Sequence, residues 1–214
     1  MDHISWERFK QLLRREYIFH IHTHHTDGSS SVREYMEFAS MKGIETVIFT
    51  EHVRKNLDYD FDALVFDIEK AHREFPGVEP VLGVEAKILP GGGLDISPYV
   101  IEKASVICIA CHSFPSDIEL FLSVMEDIFS NRYKDKIRVW VHPGMFFRKH
   151  RHLINREDFK ERVTRLVETV NRHSVYGENN LKYNLPGAIF PVSLFKSCIT
   201  GTDAHSIEDL QIIT

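Results

Sequence analysis

No apolar stretch of this 214-residue chain approaches the about 20 residues that cross a bilayer. The opening segment MDHISWERFKQLLRREY also lacks the apolar centre of a signal peptide. The expectation is a cytoplasmic protein without membrane contact. Cysteine is scarce: three residues, an odd number, suit a reducing compartment better than a disulfide framework. Positive charge is not in surplus. A formal net charge of −5 removes the electrostatic footprint of a protein that wraps duplex DNA, and leaves open only a nucleic-acid end as substrate. A glycine-rich phosphate cradle is missing too. Pro90-Gly91-Gly92-Gly93 is not followed by Gly-Lys-Ser/Thr and reads as a turn. Without repeats, linkers or low-complexity segments, residues 1–214 read as one domain. Nothing in the sequence speaks to oligomeric state.

Histidine, by contrast, is abundant, at 13 residues spread along the chain. Six apolar runs end on a residue able to bind a metal: YIFHIH at His22, TVIFTEH at His52, EPVLGVE at Glu85, SVICIACH at His112, IRVWVH at His142 and SCITGTDAH at His205. Runs of Val, Ile, Phe and Cys bounded by turn residues read as buried strands. A weaker seventh candidate covers Ser174–Glu178. Between them lie amphipathic segments that predict helices at Ser5–Glu16, Ser31–Lys42, Phe61–Phe75, Ser116–Asn131 and Asn155–Arg172. Ser31, Ser116 and Asn155 suit the N-cap position, and SVRE is a capping box. Regular alternation implies parallel strands with crossover helices. About 250 residues is typical of an eight-unit barrel, so seven units suit this length. The fold class is α/β, a seven-stranded (β/α)7 TIM-like barrel. Catalytic groups of such barrels gather at the C-terminal ends of the strands.

His20 and His22 are two apart, which on a strand points both imidazoles to one face. Asp203 and His205 repeat that spacing near the other end of the chain, and closure of a barrel makes first and last strands neighbours. Asp27, in the polar loop THHTDGSSS, is placed to fold back over the site. Taken singly, His52 or His142 reads as an ordinary core or surface histidine, and Glu85 as a salt-bridged carboxylate. Taken together they require several polar groups at one end of apolar strands, each costly to bury unpaired. Three carboxylates and six imidazoles exceed the four to six donors of one ion, so two or three ions are expected. His3, His72 and His173 read as solvated. His24 and His25 lie nearby without ligand spacing, and His150 and His152 belong to the basic loop RKHRH. Cys108 and Cys111 match a haem-attachment spacing with His112, but on a strand they face opposite sides and read as small apolar residues.

The segments HIHTHHTDG, TEH (50–52), GVEAKI, His112, HPG (142–144) and GTDAHS (201–206) resemble, in order, the motifs of the PHP (polymerase and histidinol phosphatase) family. Glu51 stands where the family usually has Asp. The resemblance implies a distorted barrel holding two or three metals. It implies one ion at His20, His22, Glu85 and Asp203, a second at Asp27, His52 and His205, and a third at His112 and His142 with Glu85 bridging. Few residues follow His205, so a closing helix is expected to be short or missing.

Three divalent ions bring six positive charges against the carboxylates of Asp27, Glu85 and Asp203, a balance that favours hydroxide and phosphate. The expected cofactors are Zn, Mn or Fe. Glu85, Asp203 and His205 would act in catalysis through hydroxide generated on the ions. Arg54, Lys55 and Arg148 are candidates for a substrate phosphate; Lys149 follows Arg148, and Lys87 shares the Glu85 strand face. The expected activity is hydrolysis of a small phosphomonoester, with a histidinol-phosphatase-like reaction one form of it. Alternatives are a nuclease or phosphodiesterase trimming nucleic-acid ends, a metal-dependent amidohydrolase, and a non-catalytic metal-stabilised accessory domain.

Overall fold

Seven short strands pair in parallel and in sequence order in the computed structural model, which describes residues 3–213. They are Tyr17–Phe19 (β1), Thr46–Val53 (β2), Glu79–Lys87 (β3), Val106–Ala110 (β4), Ile137–Trp140 (β5), Tyr176–Asn180 (β6) and Cys198–Gly201 (β7). The weak candidate at Ser174–Glu178 is thus β6, shifted toward Asn180. Register places Phe19 beside Ile48, His52 beside Glu85, and Glu85 beside Cys108. Beyond the last strand the chain returns to the first. Thr202 N–H donates to the Phe19 carbonyl at 3.0 Å, Ala204 N–H to the His20 carbonyl at 3.0 Å, and His22 N–H to the Ala204 carbonyl at 2.9 Å. These bonds bring the sheet nearly to closure, a TIM-like barrel of seven strands.

Among the described residues eight helices accompany the sheet: Trp6–Leu12 (α1), Val32–Lys42 (α2), Phe61–Glu74 (α3), Pro98–Lys103 (α4), Ile118–Asn131 (α5), Met145–Lys149 (α6), Phe159–Arg172 (α7) and Ile207–Ile213 (α8). The capping box at Ser31 is present. Glu34 N–H donates to Ser31 Oγ at 3.2 Å, and Ser31 N–H to the Glu34 carboxylate at 2.6 Å. Two helix starts differ from expectation. Asp117, not Ser116, caps α5, because its carboxylate is the one that reaches Leu120 N–H (3.0 Å). Helix α7 starts at Phe159 rather than Asn155, where the chain first makes a 3₁₀ turn at Arg151–Leu153. The Asp158 carboxylate there pairs with Arg156 and Arg162 instead of capping. Helix α1 ends at Leu12, short of Glu16, and the crossover from β6 to β7 has no α-helix. No helix among the described residues is long and apolar enough to cross a membrane.

Two apolar clusters follow from strand alternation. One lies between sheet and helices and includes Phe49, Leu82, Ile107, Trp140, Phe121 and Val167. The other fills the barrel with Phe19, Ile48, Val81, Cys108, Val139 and Ile199. Phe9 and Leu12 of α1 join this inner cluster, and Trp6 and Phe9 meet the Tyr176 ring edge-on. Cys108 and Cys111 sit in different clusters, on opposite sides of the sheet. Glu85 lies four residues beyond Val81 on the same strand face, so the packed interior gives way to polar groups toward the C-terminal end of β3.

Candidate metal centre

The structure brings the nine candidate ligands together. Glu85 is their hub, 2% exposed. Its Oε2 lies 2.8 Å from His52 Nδ1 and 3.6 Å from His22 Nε2. Its Oε1 lies 2.8 Å from His142 Nε2, 3.3 Å from His112 Nε2 and 3.6 Å from His20 Nε2. Asp203 Oδ1 approaches His22 Nε2 at 3.4 Å, His205 Nδ1 at 3.7 Å and His20 Nε2 at 3.8 Å. Asp27 Oδ2, at the outer rim, is 3.4 Å from both His52 Nε2 and His205 Nε2.

The backbone reaches this convergence differently from the strand geometry expected for His20 and His22. Strand β1 ends at Phe19, and His20 takes a left-handed conformation with φ 66°. His142 (φ 31°) and Asp203 (φ 49°) do the same just beyond β5 and β7. Such conformations cost of order 1–3 kcal/mol each and persist where surrounding structure enforces them. Gly28 closes the loop that carries Asp27, and a Cβ there would stand 2.2 Å from the His22 carbonyl oxygen. Glu51 holds the same loop: its carboxylate accepts from Thr23 N–H at 2.7 Å and from the Thr26 hydroxyl. Burial pushes the Glu51 carboxyl up to about 7, partly offset by those Thr23 and Thr26 bonds.

Electrostatics follow from the crowding. Burial would raise Glu85, yet His112, His142, His20 and His52 hold it well below the usual carboxylate range. Asp203 is likewise held low, by His22 and His20 against its burial. Burial pushes the His22 imidazole down to about 4, opposed in part by Asp203 and Glu85. Burial works on His20 in the same sense, but Glu178 and Glu85 beside it hold its imidazole well above the ordinary value.

Whether this donor set fits metal ions is decided by its unpaired atoms. His20 Nε2, His22 Nδ1 and Nε2, Glu85 Oε2, His112 Nε2 and His142 Nδ1 are buried without a hydrogen-bond partner. Leaving a buried polar group unsatisfied costs about 1–3 kcal/mol, and five of these six atoms belong to imidazoles. Among the nine residues, four groups of three donors have ligand atoms within 4.8 Å of one another: His20–His22–Glu85, His20–His142–Asp203, His22–His52–His205 and His52–Glu85–His112; a fifth, His24–His25–Asp67, lies outside the nine. Imidazole and carboxylate donors at this spacing fit divalent metal ions.

Two clefts open onto the centre. One, of about 530 Å³, is lined by His25, Asp27, Arg54, Asp58, Tyr59, Glu85, Lys87, Asp95 and His112 among others. The second, of about 390 Å³, is lined by His112, His142, Met145, Arg148, Lys149, Arg151, Tyr183 and Asp203. Of the phosphate candidates, Arg54 faces the first cleft together with Asp58 and Asp95, and Arg148 faces the second. Lys55 stands outside both linings, its backbone N–H bonded to Asp95 at 3.0 Å. The basic loop is partly α6, and Lys149 Nζ donates to the His112 carbonyl.

Sequence reasoning missed three residues here. Glu178, on β6, is fully buried and lies 2.5 Å from His20 Nδ1. Lys182 Nζ donates to the Asp203 carbonyl at 2.9 Å and stands 5.6 Å from the Tyr183 ring centre. Tyr183 carries the Arg148 guanidinium over its ring at 5.3 Å. Glu178 had a detectable signal, since it ends the seventh strand candidate as a ligand-type residue ends each of the other six. Lys182 and Tyr183, in a turn with no pattern, had none.

The solved structure of a histidinol phosphate phosphatase from Lactococcus lactis subsp. lactis Il1403, complexed with zinc, L-histidinol and phosphate, superimposes with a TM-score of 0.65. It covers 93% of this chain and 92% of its own at 15% sequence identity. The DNA polymerase/3′-5′ exonuclease PolX of Bacillus subtilis (strain 168) is 25% identical over 211 aligned residues, covering 89% of this chain. This chain spans only about a third (34%) of that relative's length. A family model for the PHP domain matches residues 19–184, a span holding seven of the nine converging residues. By that match over most of its length, the chain belongs to the PHP domain family.

Proposed function

We propose that this PHP-family metal-dependent phosphoesterase hydrolyses the phosphomonoester of a small molecule at a centre of two or three divalent transition-metal ions. One observation carries the reading: six imidazoles and three carboxylates converge, with buried ring nitrogens left unpaired, beside a cleft edged by Arg148, Lys149 and Arg151. His20, His22, Glu85 and Asp203 would hold one ion, Asp27, His52 and His205 a second, and His112 and His142 with Glu85 a third. Mixed donors of this kind suit zinc, manganese or iron. Such ions, when bound, supply Lewis acidity toward a phosphoryl oxygen and bring the ionisation of water to about pH 7.

The chain's own side chains do the binding and orienting. The Arg148 and Arg151 guanidiniums are suited to two-point contact with phosphate oxygens. Arg148 rests on the Tyr183 ring, so it gives up less side-chain freedom when it binds. Lys182, whose Nζ lies 4.0 Å from Asp203 Oδ1, adds positive charge at the same edge. Glu85 and Asp203 anchor the imidazoles by charge, and His205 ties the Asp27 loop to the end of β7. The first cleft sets Arg54 and Lys87 against Asp58 and Asp95, with Tyr59 beside them. That mixed lining suits a polar alcohol carrying both charges better than an apolar one. The L-histidinol named for the Lactococcus protein is a polar amino alcohol, and the phosphate named with it supplies the negative charge.

The exonuclease named in the Bacillus relative supports a second reading, hydrolysis at a nucleic-acid end. A panel of phosphomonoesters, phosphodiesters, short oligonucleotides, amides and lactones, assayed with zinc, manganese and iron in turn, decides between them. The proposal expects monoesters to be turned over fastest. Faster turnover of oligonucleotides would favour the second reading, and cleavage of amides or lactones with inert phosphoesters would overturn both.

A further inference from the structure

We infer that Glu178 is a positioning residue of the metal centre, a carboxylate that fixes the His20 ring and the His142 backbone so that both imidazoles face Glu85. The inference rests on the metal-centre reading proposed above. Glu178 Oε1 lies 2.5 Å from His20 Nδ1. Its Oε2 accepts from His142 N–H and from Asn180 Nδ2 (3.2 Å). The residue is 0% exposed, so solvent cannot substitute for any of these contacts.

The consequence for His20 is directional. With Nδ1 committed to Glu178, Nε2 is the atom left facing Glu85 (3.6 Å) and Asp203 (3.8 Å), and that atom has no hydrogen-bond partner. A carboxylate on one imidazole nitrogen fixes the tautomer, orients the ring and makes the other nitrogen a better ligand. His20 and His142 are also two of the three candidate ligands in left-handed backbone conformations, and Glu178 bonds to both, to the ring of one and the backbone of the other. The neighbouring strand is cut to fit. Gly201 pairs with Asn180, and a Cβ at position 201 would stand 1.9 Å from Glu178 Oε1. Any larger residue there must displace the carboxylate. An amide at 178 would fill the same volume but turn one of two acceptors into a donor, facing two fixed donors and a ring nitrogen, His20 Nδ1, that donates in the tautomer leaving Nε2 free.

The test uses the full chain reconstituted with zinc, as wild type, Glu178→Gln and Gly201→Ala. The second variant keeps the carboxylate but pushes it aside, so it carries the test if the first does not fold. Zinc affinity is measured by chelator competition, and the His20 Nδ1–H resonance by NMR of 15N-histidine-labelled protein. Both variants are expected to bind zinc about 10–100-fold more weakly, the range for losing an outer partner of a ligand histidine. The resonance should move upfield, a change that mere loss of packing would not produce. A folded variant with wild-type affinity and an unmoved resonance overturns the inference. Wild-type protein that binds none of zinc, manganese and iron overturns the metal-centre reading and this inference with it.

Discussion

Replacing Glu85 by Gln should empty the centre more effectively than any other single change of equal volume. The carboxylate stands within 2.8–3.6 Å of five imidazoles, His20, His22, His52, His112 and His142. One oxygen faces two of them and the other faces three, an arrangement that the proposed sharing of Glu85 between ions requires. Removing a partner one step out from an ion costs about 10–100-fold in affinity. Removing the charge of a shared ligand should therefore cost at least about 100-fold, about 2.8 kcal/mol at about 1.4 kcal/mol per factor of ten. Glu51→Gln is the comparison. Glu51 is equally buried but bonds to Thr23 and Thr26 of the Asp27 loop, not to a ligand ring. Its change should weaken metal retention less than tenfold. Both proteins are dialysed against graded chelator, and bound zinc, manganese and iron are measured by elemental analysis. Equal loss from the two variants would refute the assignment of Glu85 as the shared ligand.

Other consequences follow from the same geometry. Arg148→Ala should raise KM for a phosphomonoester about tenfold without changing metal content, whereas Lys55→Ala, outside both clefts, should change it less than twofold; steady-state kinetics on the two variants check this. Arg138, buried on β5, donates to the Phe129, Arg132 and His173 carbonyls at 2.7, 3.1 and 2.6 Å, tying the ends of α5 and α7 to the sheet. Its replacement by Met leaves the buried Phe129 carbonyl without that donor and should cost about 2–3 kcal/mol in urea denaturation. Burial pushes the Cys111 thiol up to about 12 and raises Cys108 as well, while Cys198 is exposed. A thiol reagent at neutral pH should therefore modify one cysteine in the native protein and three after unfolding.

Much of this was readable before the structure, and the reason is physical. Buried parallel strands are near-continuous apolar runs, so a histidine or carboxylate at the end of one stands out against its background. That contrast marks His52, Glu85, His112 and His142, and the return of the chain to β1 brings Asp203 and His205 to them. Strand β6 reads weakly because YGENN is polar, and its polar residues are satisfied inside the protein: Glu178 by His20 and His142, Asn180 by Leu185 and Glu178. The spacing of His20 and His22 pointed to one shared site through a strand geometry the backbone does not have. The convergence is real, but it comes from a left-handed residue at the strand end. Helix starts at Ser116 and Asn155 were misplaced because several cap-type residues cluster there. At the second start even Asp158 at the N-cap position makes no cap bond, its carboxylate being taken by Arg156 and Arg162, so a cap-type residue alone does not mark the first turn.

The most direct test is metal content measured together with phosphoester hydrolysis on the same preparation. The account predicts two or three ions of zinc, manganese or iron per chain after reconstitution. It also predicts hydrolysis of a phosphomonoester such as p-nitrophenyl phosphate that disappears on chelation and returns with metal. No more than one ion per chain, or hydrolysis that survives complete chelation, would contradict it.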